Sequence, residues 1–522
     1  MLRMQRKGDG MKPNVGDVYC VYIEKLRRYT ACQITGIKAE GKSKSHDLVA
    51  LLELDWTGEE LPREDELGKM QPLYGDFFFW DKNLELSYVG GNVPKNYIKV
   101  GNIPPIIDGK TNSYGTWNVG DSINRQLRWE AIPEERRKAF KEAANDNSMV
   151  EVGGRSLQRS THFIDDEVLQ GLDDWSELDK LPCLTRIIAK KPYDSLLSFV
   201  NRNPFINELQ WENHGCRVID VKSSNLERIM LQVESLEELH LNPNAGQLSL
   251  YGSDSAGLTI YAYEGGRWMT ANFSEGKPFG RGLERLGALH LNGIQELDMR
   301  QIVQCYPALN ELRLWGKPGM VTNMESLAQL VGLKYFSTFD LFGFTGEQFP
   351  EPDQFPQLTW LWLTSLPADT AKAVKEKYKK EIGKGLDLSI TKPRKPEWLR
   401  ENLLNPFRDW DGREHITAAN AKKAADVYKK TIAAIHSVVK QTQGGAADIE
   451  RLKQELRSIV LNYTEAFNKM DQRTGFIETV EREEIYMVLA DLLQTAKQQL
   501  ESAGVNIDDE VLFRPFHELR EF

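Results

Sequence analysis

Six residues of this 522-residue chain stand at intervals that would gather them on one surface: Arg313, Trp315, Tyr335, Phe339, Trp360 and Trp362. Aromatic rings and a guanidinium are the side chains that most often anchor contacts between proteins, because they combine large apolar area with cation–π attraction. The chemistry on offer is recognition rather than bond making. All six fall within, or just past, three short hydrophobic hexads: LNELRL from Leu309, LKYFST from Leu333 and LTWLWL from Leu358.

Groups able to carry catalysis or hold a metal do not converge in the same way. Gly-x-Ser-x-Gly, His-Glu-x-x-His and the Walker A pattern are absent. The scrap DGKT at Asp108–Thr111 has Pro104 where a phosphate loop needs glycine. The stretch FNKMDQRTGFIETVEREEI (467–485) has the outline of a calcium loop between helices. Counting back from Gly475, however, puts Met470, Gln472 and Thr474 at the ligand positions, so a plain interhelical turn is expected. No cysteine follows Cys305, which closes a thioester route through residues 306–522. His240 and His290 would sit one above the other only if the chain between them loops out, and no third ligand is spaced to join them. No catalytic residue, metal or cofactor is expected.

The hexads belong to a longer series: LEELHL from Leu236, LGALHL from Leu286, then those at Leu309, Leu333 and Leu358. From Leu286 onward the steps are nearly even, each slightly longer than the one before. Weaker copies precede them, LTRIIA from Leu184, INELQW from Ile206 and LERIML from Leu226. Over about 180–366 the chain resembles the leucine-rich-repeat family, whose period is about 20–29 residues. The asparagine or cysteine usual shortly past each hexad is mostly missing, so the repeats are divergent. Between Leu241 and Leu286 the rhythm breaks, and an insertion or atypical repeats are expected there.

Burial explains the spacing. On a short strand Leu312 and Leu314 point one way while Glu311, Arg313 and Trp315 point the other. One repeat cannot cover its apolar face, so neighbours must stack in parallel. The segments 294–307 and 324–331 have helical spacing and are expected on the convex side. The outward residues then form columns on the concave face: Glu238, Ala288, Glu311, Tyr335, Trp360; His240, His290, Arg313, Ser337, Trp362; and Asn242, Asn292, Trp315, Phe339, Thr364. The aromatics in these columns either meet a partner or are covered by the chain's own residues 370–522; the sequence leaves both open.

Before the repeats, VGDVYCVYIEKLRRYTACQITGI from Val15 reads as a hairpin. DLVALLELDW, YGDFFFW, LELSYVGG and NYIKVG read as further strands. The Val-Gly-Asp opening and paired strands resemble a predicted family of bacterial polymorphic-toxin immunity proteins, and also SH3-type barrels. The second likeness implies that Phe77, Phe78, Phe79 and Trp80 could cage a methylated lysine, against which contiguous aromatics on one strand face both ways. A helix, PEERRKAFKEA (133–143), sits in a connector expected to pack on the first repeat. Beyond the repeats, NPFRDWDGREH (405–415) is a turn-rich entry to helices at about 417–442, 447–469 and 479–503, with Gly444-Gly445 breaking the first two. NPFRDWDG together with TGFIETVEREE resembles a C-terminal module of other bacterial repeat proteins, which implies architecture but no chemistry.

A composition 41% hydrophobic and 27% charged is that of a globular protein, and a net charge of −10 argues against electrostatically driven nucleic-acid binding. The basic run KAVKEKYKKEIGKG (372–385) reads as a solvated helix. No signal peptide or membrane span is evident, and five scattered cysteines suit a reducing compartment, so a cytoplasmic location is expected. The expected fold is multidomain α+β. It divides into a flexible 1–14, a small β barrel or sheet over 15–105, a connector over 106–180 and a parallel-stranded α/β solenoid over 181–366. A helix and linker follow over 367–395, then a helical bundle over 396–522. The expected function is non-catalytic capture of a protein partner on the concave face, in a bacterial immunity or defence role. An enzyme with an unrecognised site before residue 180, or a purely structural scaffold, are the alternatives.

Overall fold

The computed structural model describes residues 12–38, 48–94, 96–252, 257–274, 280–411, 413–442, 449–502, 505, 507 and 509–522. The expected lead-in up to Met11 and the Gly444-Gly445 break lie outside them. The chain divides into two compact units, Met1–Met269 and Thr270–Phe522.

The first unit opens with an antiparallel sheet in the order Leu86–Gly90, Leu48–Gly58, Arg28–Lys38, Asp17–Ile23, Tyr97–Asn102. The hairpin read from Val15 is its centre, with Tyr19 opposite Cys32 and Val21 opposite Thr30. The two end strands do not pair with each other, so this is an open sheet and not the barrel expected as one alternative. The physical reason lies in its apolar strands, which bury both faces. Tyr19, Val21, Cys32 and Ile34 pack under Val93, Trp117 and Val119, while Val18, Cys20, Ala50 and Leu52 pack under Leu67 and Met70. A sheet covered on both sides by its own connections gains nothing apolar by closing. YGDFFFW is not the strand expected: only Tyr74–Gly75 is extended, and Phe78 turns the chain with φ 49°. The helix Glu134–Ala143 sits where its amphipathic spacing put it, with Phe140 and Ala143 buried against Cys183 and Phe205 of the first repeats.

The coil that follows is parallel. Arg186, Glu208, Arg228 and Gln247 are register partners on successive strands, and each repeat is shorter than the one before. A second parallel sheet pairs Val218–Asp220, Glu238–His240 and Thr259–Tyr261. The hexad LEELHL therefore belongs to this second sheet, not to the series of the other hexads. The first of these repeats holds the helix Leu196–Arg202, and the later ones, at the short end of the repeat range at about 20 residues, carry a strand in its place. From Val218 to Tyr261 both long sides of the coil are therefore strands. The irregular stretch after Leu241 holds such short repeats rather than an insertion: Gln247–Tyr251 joins the first sheet and Thr259–Tyr261 the second.

In the second unit the register partners are Thr270, Ala288, Glu311, Tyr335, Trp360 and Asp387. The repeats lengthen steadily along this series. Leu289, Leu291, Leu312, Leu314, Phe336, Leu361 and Leu363 are fully buried on one side of these strands, with Leu286, Leu309 and Leu333 entering from the preceding turns. The longer repeats hold the helix Met299–Cys305 and the 3-10 turn Met324–Gln329. Residues 294–298, expected as helix, remain strand, because Gly293 at φ 72° redirects the chain and pairing resumes with Glu296 opposite Met320. Five residues past the register position the backbone turns left-handed at Gly293, Asp340, Ser365 and Lys392, though not at Gly316. At Ser365 and Lys392 that turn directly follows the last residue of the strand. The strand Asp387–Thr391 adds one repeat beyond those the hexads mark.

The helices Ala418–Thr442, Ile449–Thr474 and Thr479–Ser502 match the spacing read from sequence, and a fourth, Asp509–Leu519, joins them. Phe407, Trp410, Tyr463, Phe467 and Phe516 form their common core. The 467–485 segment is the plain turn expected: Gly475 takes φ 57° and Asp471 Oδ1 accepts the Ile477 N–H at 2.9 Å. Among the described residues no helix is long and apolar enough to cross a membrane.

Candidate functional site

Three parallel strands, Glu311–Thr322, Tyr335–Phe342 and Trp360–Thr364, carry all six residues picked out by their spacing. Register sets Tyr335 beside Trp360, Ser337 between Arg313 and Trp362, and Trp315 beside Phe339. The leucines take the inward positions, so the alternate side chains face away from the core. The Trp360 and Trp362 rings meet edge to face with centroids 4.0 Å apart, and Tyr335 meets Trp360 at 6.1 Å. Tyr335 is 41% exposed, Phe339 37% and Trp362 41%, while Arg313, Trp315 and Trp360 are half-buried. The C-terminal helices of the same unit thus leave these rings uncovered, against the scaffold alternative in which all five aromatics are internal.

Arg313 does not float over this surface. Its guanidinium lies 5.1 Å from the centre of the Trp360 ring, and its Nε donates to Glu311 Oε1 at 2.5 Å. The same oxygen is 2.9 Å from His290 Nε2. Burial pushes the Glu311 carboxyl up, but its hydrogen bonds to His290 and Arg313 and their charges outweigh that and hold it below the ordinary range. Sequence reasoning placed Glu311 and His290 in the columns but gave them no role. The signal was there, since alternate residues on a strand share a face, as Glu311 and Arg313 do.

Other candidates are placed elsewhere. His240 lies on the second sheet of the first unit, stacked on Tyr261 at 4.3 Å and 3.0 Å from Glu238, so the histidine column does not form. Phe77 is buried, Phe78 packs on Trp129 at 5.2 Å, and Phe79 packs on Phe140 at 5.0 Å. Phe77 and Phe78 thus join a core, whereas Phe79 and Trp80 remain exposed. The basic run is largely tied down: Val374 and Tyr378 are buried, and Lys377 donates to the Phe349 carbonyl at 2.6 Å and pairs with Glu351 at 2.7 Å.

Acidic groups do gather before residue 180. Burial pushes Glu53 up to about 7 and raises Glu85 and Asp121 as well, with Glu53 accepting the Gly120 N–H at 3.1 Å. Neither the small cavity at Asn242 and Trp268 nor the cleft at Arg136 and Phe205 is lined by them. Among the described residues no three His, Cys, Asp or Glu side chains are placed to hold a metal ion.

Parallel strands held in register from repeat to repeat, with leucines filling the interior, define a leucine-rich-repeat solenoid. No family model matches the chain, and no curated protein matches it. Two leucine-rich-repeat structures are similar to it. Internalin C2 of Listeria monocytogenes is 14% identical over 43% of this chain and 91% of its own, at a TM-score of 0.19. The LRIM1/APL1C complex gives 12% identity over 68% of this chain and 93% of that one, at 0.25. At such scores the architecture rests on the strand register itself.

Proposed function

We propose that this chain is a non-catalytic protein-binding module whose docking surface is the aromatic face formed by Arg313, Trp315, Tyr335, Phe339, Trp360 and Trp362. The observation that supports this reading is the exposure of Tyr335, Phe339 and Trp362 side by side on three paired strands. Clustered large rings left facing solvent typically mark a binding site, and a guanidinium held over a ring completes the usual set of anchors. Arg313 is already fixed by Glu311, so little side-chain entropy is lost when a partner arrives.

The test is a double substitution, Trp360→Ala with Trp362→Ala, in the full chain. Far-ultraviolet circular dichroism should be unchanged, while a protein that co-purifies with the wild-type chain from its native host should be lost. Unchanged co-purification would remove this face as the site. The narrower reading makes the partner a toxin and the chain a bacterial cytoplasmic immunity protein. It rests on the resemblance of the strands that open at Val15 and fits five unpaired cysteines. Co-expression with a toxin encoded beside it should then restore growth, and failure to protect would end that reading.

A further inference from the structure

A cleft of about 290 Å³ in the first unit lies where the helix Glu134–Ala143 meets the first repeats. Its lining includes Arg136, Asp179, Pro182, Arg202, Asn203 and Phe205. We propose that it binds a small phosphomonoester, held through its phosphoryl oxygens by the guanidinium groups of Arg136 and Arg202.

The two arginines differ in how they are satisfied. Arg202 Nη1 donates to both oxygens of Asp179, at 2.9 and 3.0 Å, and its guanidinium lies 4.9 Å from the Phe199 ring centre. Arg136 has no ion pair among the described residues. One of its five N–H groups reaches the Arg202 carbonyl at 3.5 Å, the long limit of a hydrogen bond, and its guanidinium lies 5.5 Å from the Phe205 ring centre. Stacking on Phe199 and Phe205 fixes both forks before any ligand arrives.

Counted by charge, the cleft holds two guanidinium groups and one carboxylate, a surplus of one positive charge. Burial pushes the Arg136 pKa down, Asp179 pulls it back up, and Arg202 pushes it down again. A half-buried cation without its own carboxylate is costly, and an incoming anion would relieve that cost through charge-assisted hydrogen bonds. Asp179 already takes the carboxylate-like share of Arg202. Donors that approach from two separate forks suit the three terminal oxygens of a phosphoryl group better than the two of a planar carboxylate. The volume has room for that group and a small organic residue attached to it.

The experiment is calorimetric titration of the full chain with inorganic phosphate, and separately with acetate, at constant ionic strength. Saturable phosphate binding is expected, weakened at least about tenfold by Arg136→Met. Arg136→Lys, which keeps the charge and loses the fork, should weaken it by a smaller factor; it supplies the comparison if the methionine variant does not fold. Absence of saturable phosphate binding, equal binding by the wild type and both variants, or acetate binding as tightly as phosphate would each overturn the proposal.

Discussion

The guanidinium of Arg313 and the ring of Trp360 lie 5.1 Å apart although their strands are separated by a third, Tyr335–Phe342. The contact runs diagonally across that strand: Arg313 is level with the small Ser337 and leans toward Glu311, which accepts from its Nε at 2.5 Å and is level with Tyr335 and Trp360. One buried-edge carboxylate therefore organises the aromatic face.

This arrangement gives Glu311 a pH signature. Its folded pKa is held below the unfolded value near 4.5, so the stability it contributes is complete above that pH and is lost as the pH falls through the folded value. Glu311→Gln should cost about 1 kcal/mol at pH 7. The gap to wild type, measured by urea unfolding, should close as the pH drops well below 4.5. An equal cost at pH 7 and pH 3 would show that the carboxylate charge does not matter.

Glu53 carries the opposite sign. Burial raises its pKa to about 7, so between 4.5 and 7 the folded state binds more protons than the unfolded one, and stability falls as the pH rises through that window. Glu53→Gln keeps an acceptor for the Gly120 N–H and removes the buried charge. It should raise stability by about 2 kcal/mol at pH 8, with the gain vanishing near pH 4.5. A variant that follows the wild-type pH curve in parallel would contradict the assignment.

Stacking of the second unit's repeats can be tested at one glycine. A Cβ on Gly316 would lie 2.1 Å from the Asp340 carbonyl oxygen on the next strand, whereas a Cβ on Gly383 meets nothing within 4 Å. Gly316→Ala should cost about 3 kcal/mol because backbone on both strands must move. Gly383→Ala should change the unfolding free energy by no more than about 0.5 kcal/mol either way. Similar effects from the two substitutions would mean that the strands are not packed as described.

The repeats were legible because their leucines serve burial alone. Leu312 and Leu314 can satisfy their pattern only on one side of a strand, and both are fully buried. The pattern misled where two structures share it. In LEELHL, Leu236 and Leu239 are buried as in the other hexads, but on the second sheet, since so short a turn offers two equivalent strand positions. The spacing of Ile294 and Leu297 suits a helix face as well as a bulged strand, and only Gly293 distinguishes the two. Long-range polar contacts left no local trace. Trp410 Nε1 donates to Glu484 at 2.7 Å and Arg413 pairs with Glu481 at 2.5 Å, from elements far apart in the sequence. The six candidate residues could be placed on neighbouring strands because register on parallel strands follows directly from repeat length. The cleft at Arg136 was not, because its charges come from three separate helical segments, Glu134–Ala143, Trp175–Lys180 and Leu196–Arg202.

The most direct measurement of the central claim, that the aromatic face receives a protein partner, is photo-crosslinking from two positions in the full chain with the co-purified partner present. A photoreactive phenylalanine analogue replaces Phe339 on the face in one sample and Val331 in the other. Val331 is 61% exposed and follows the 3-10 turn between strands. The expected result is a covalent adduct with the partner from position 339 and none from position 331. Adducts from 331 alone, or from both positions equally, would contradict the account.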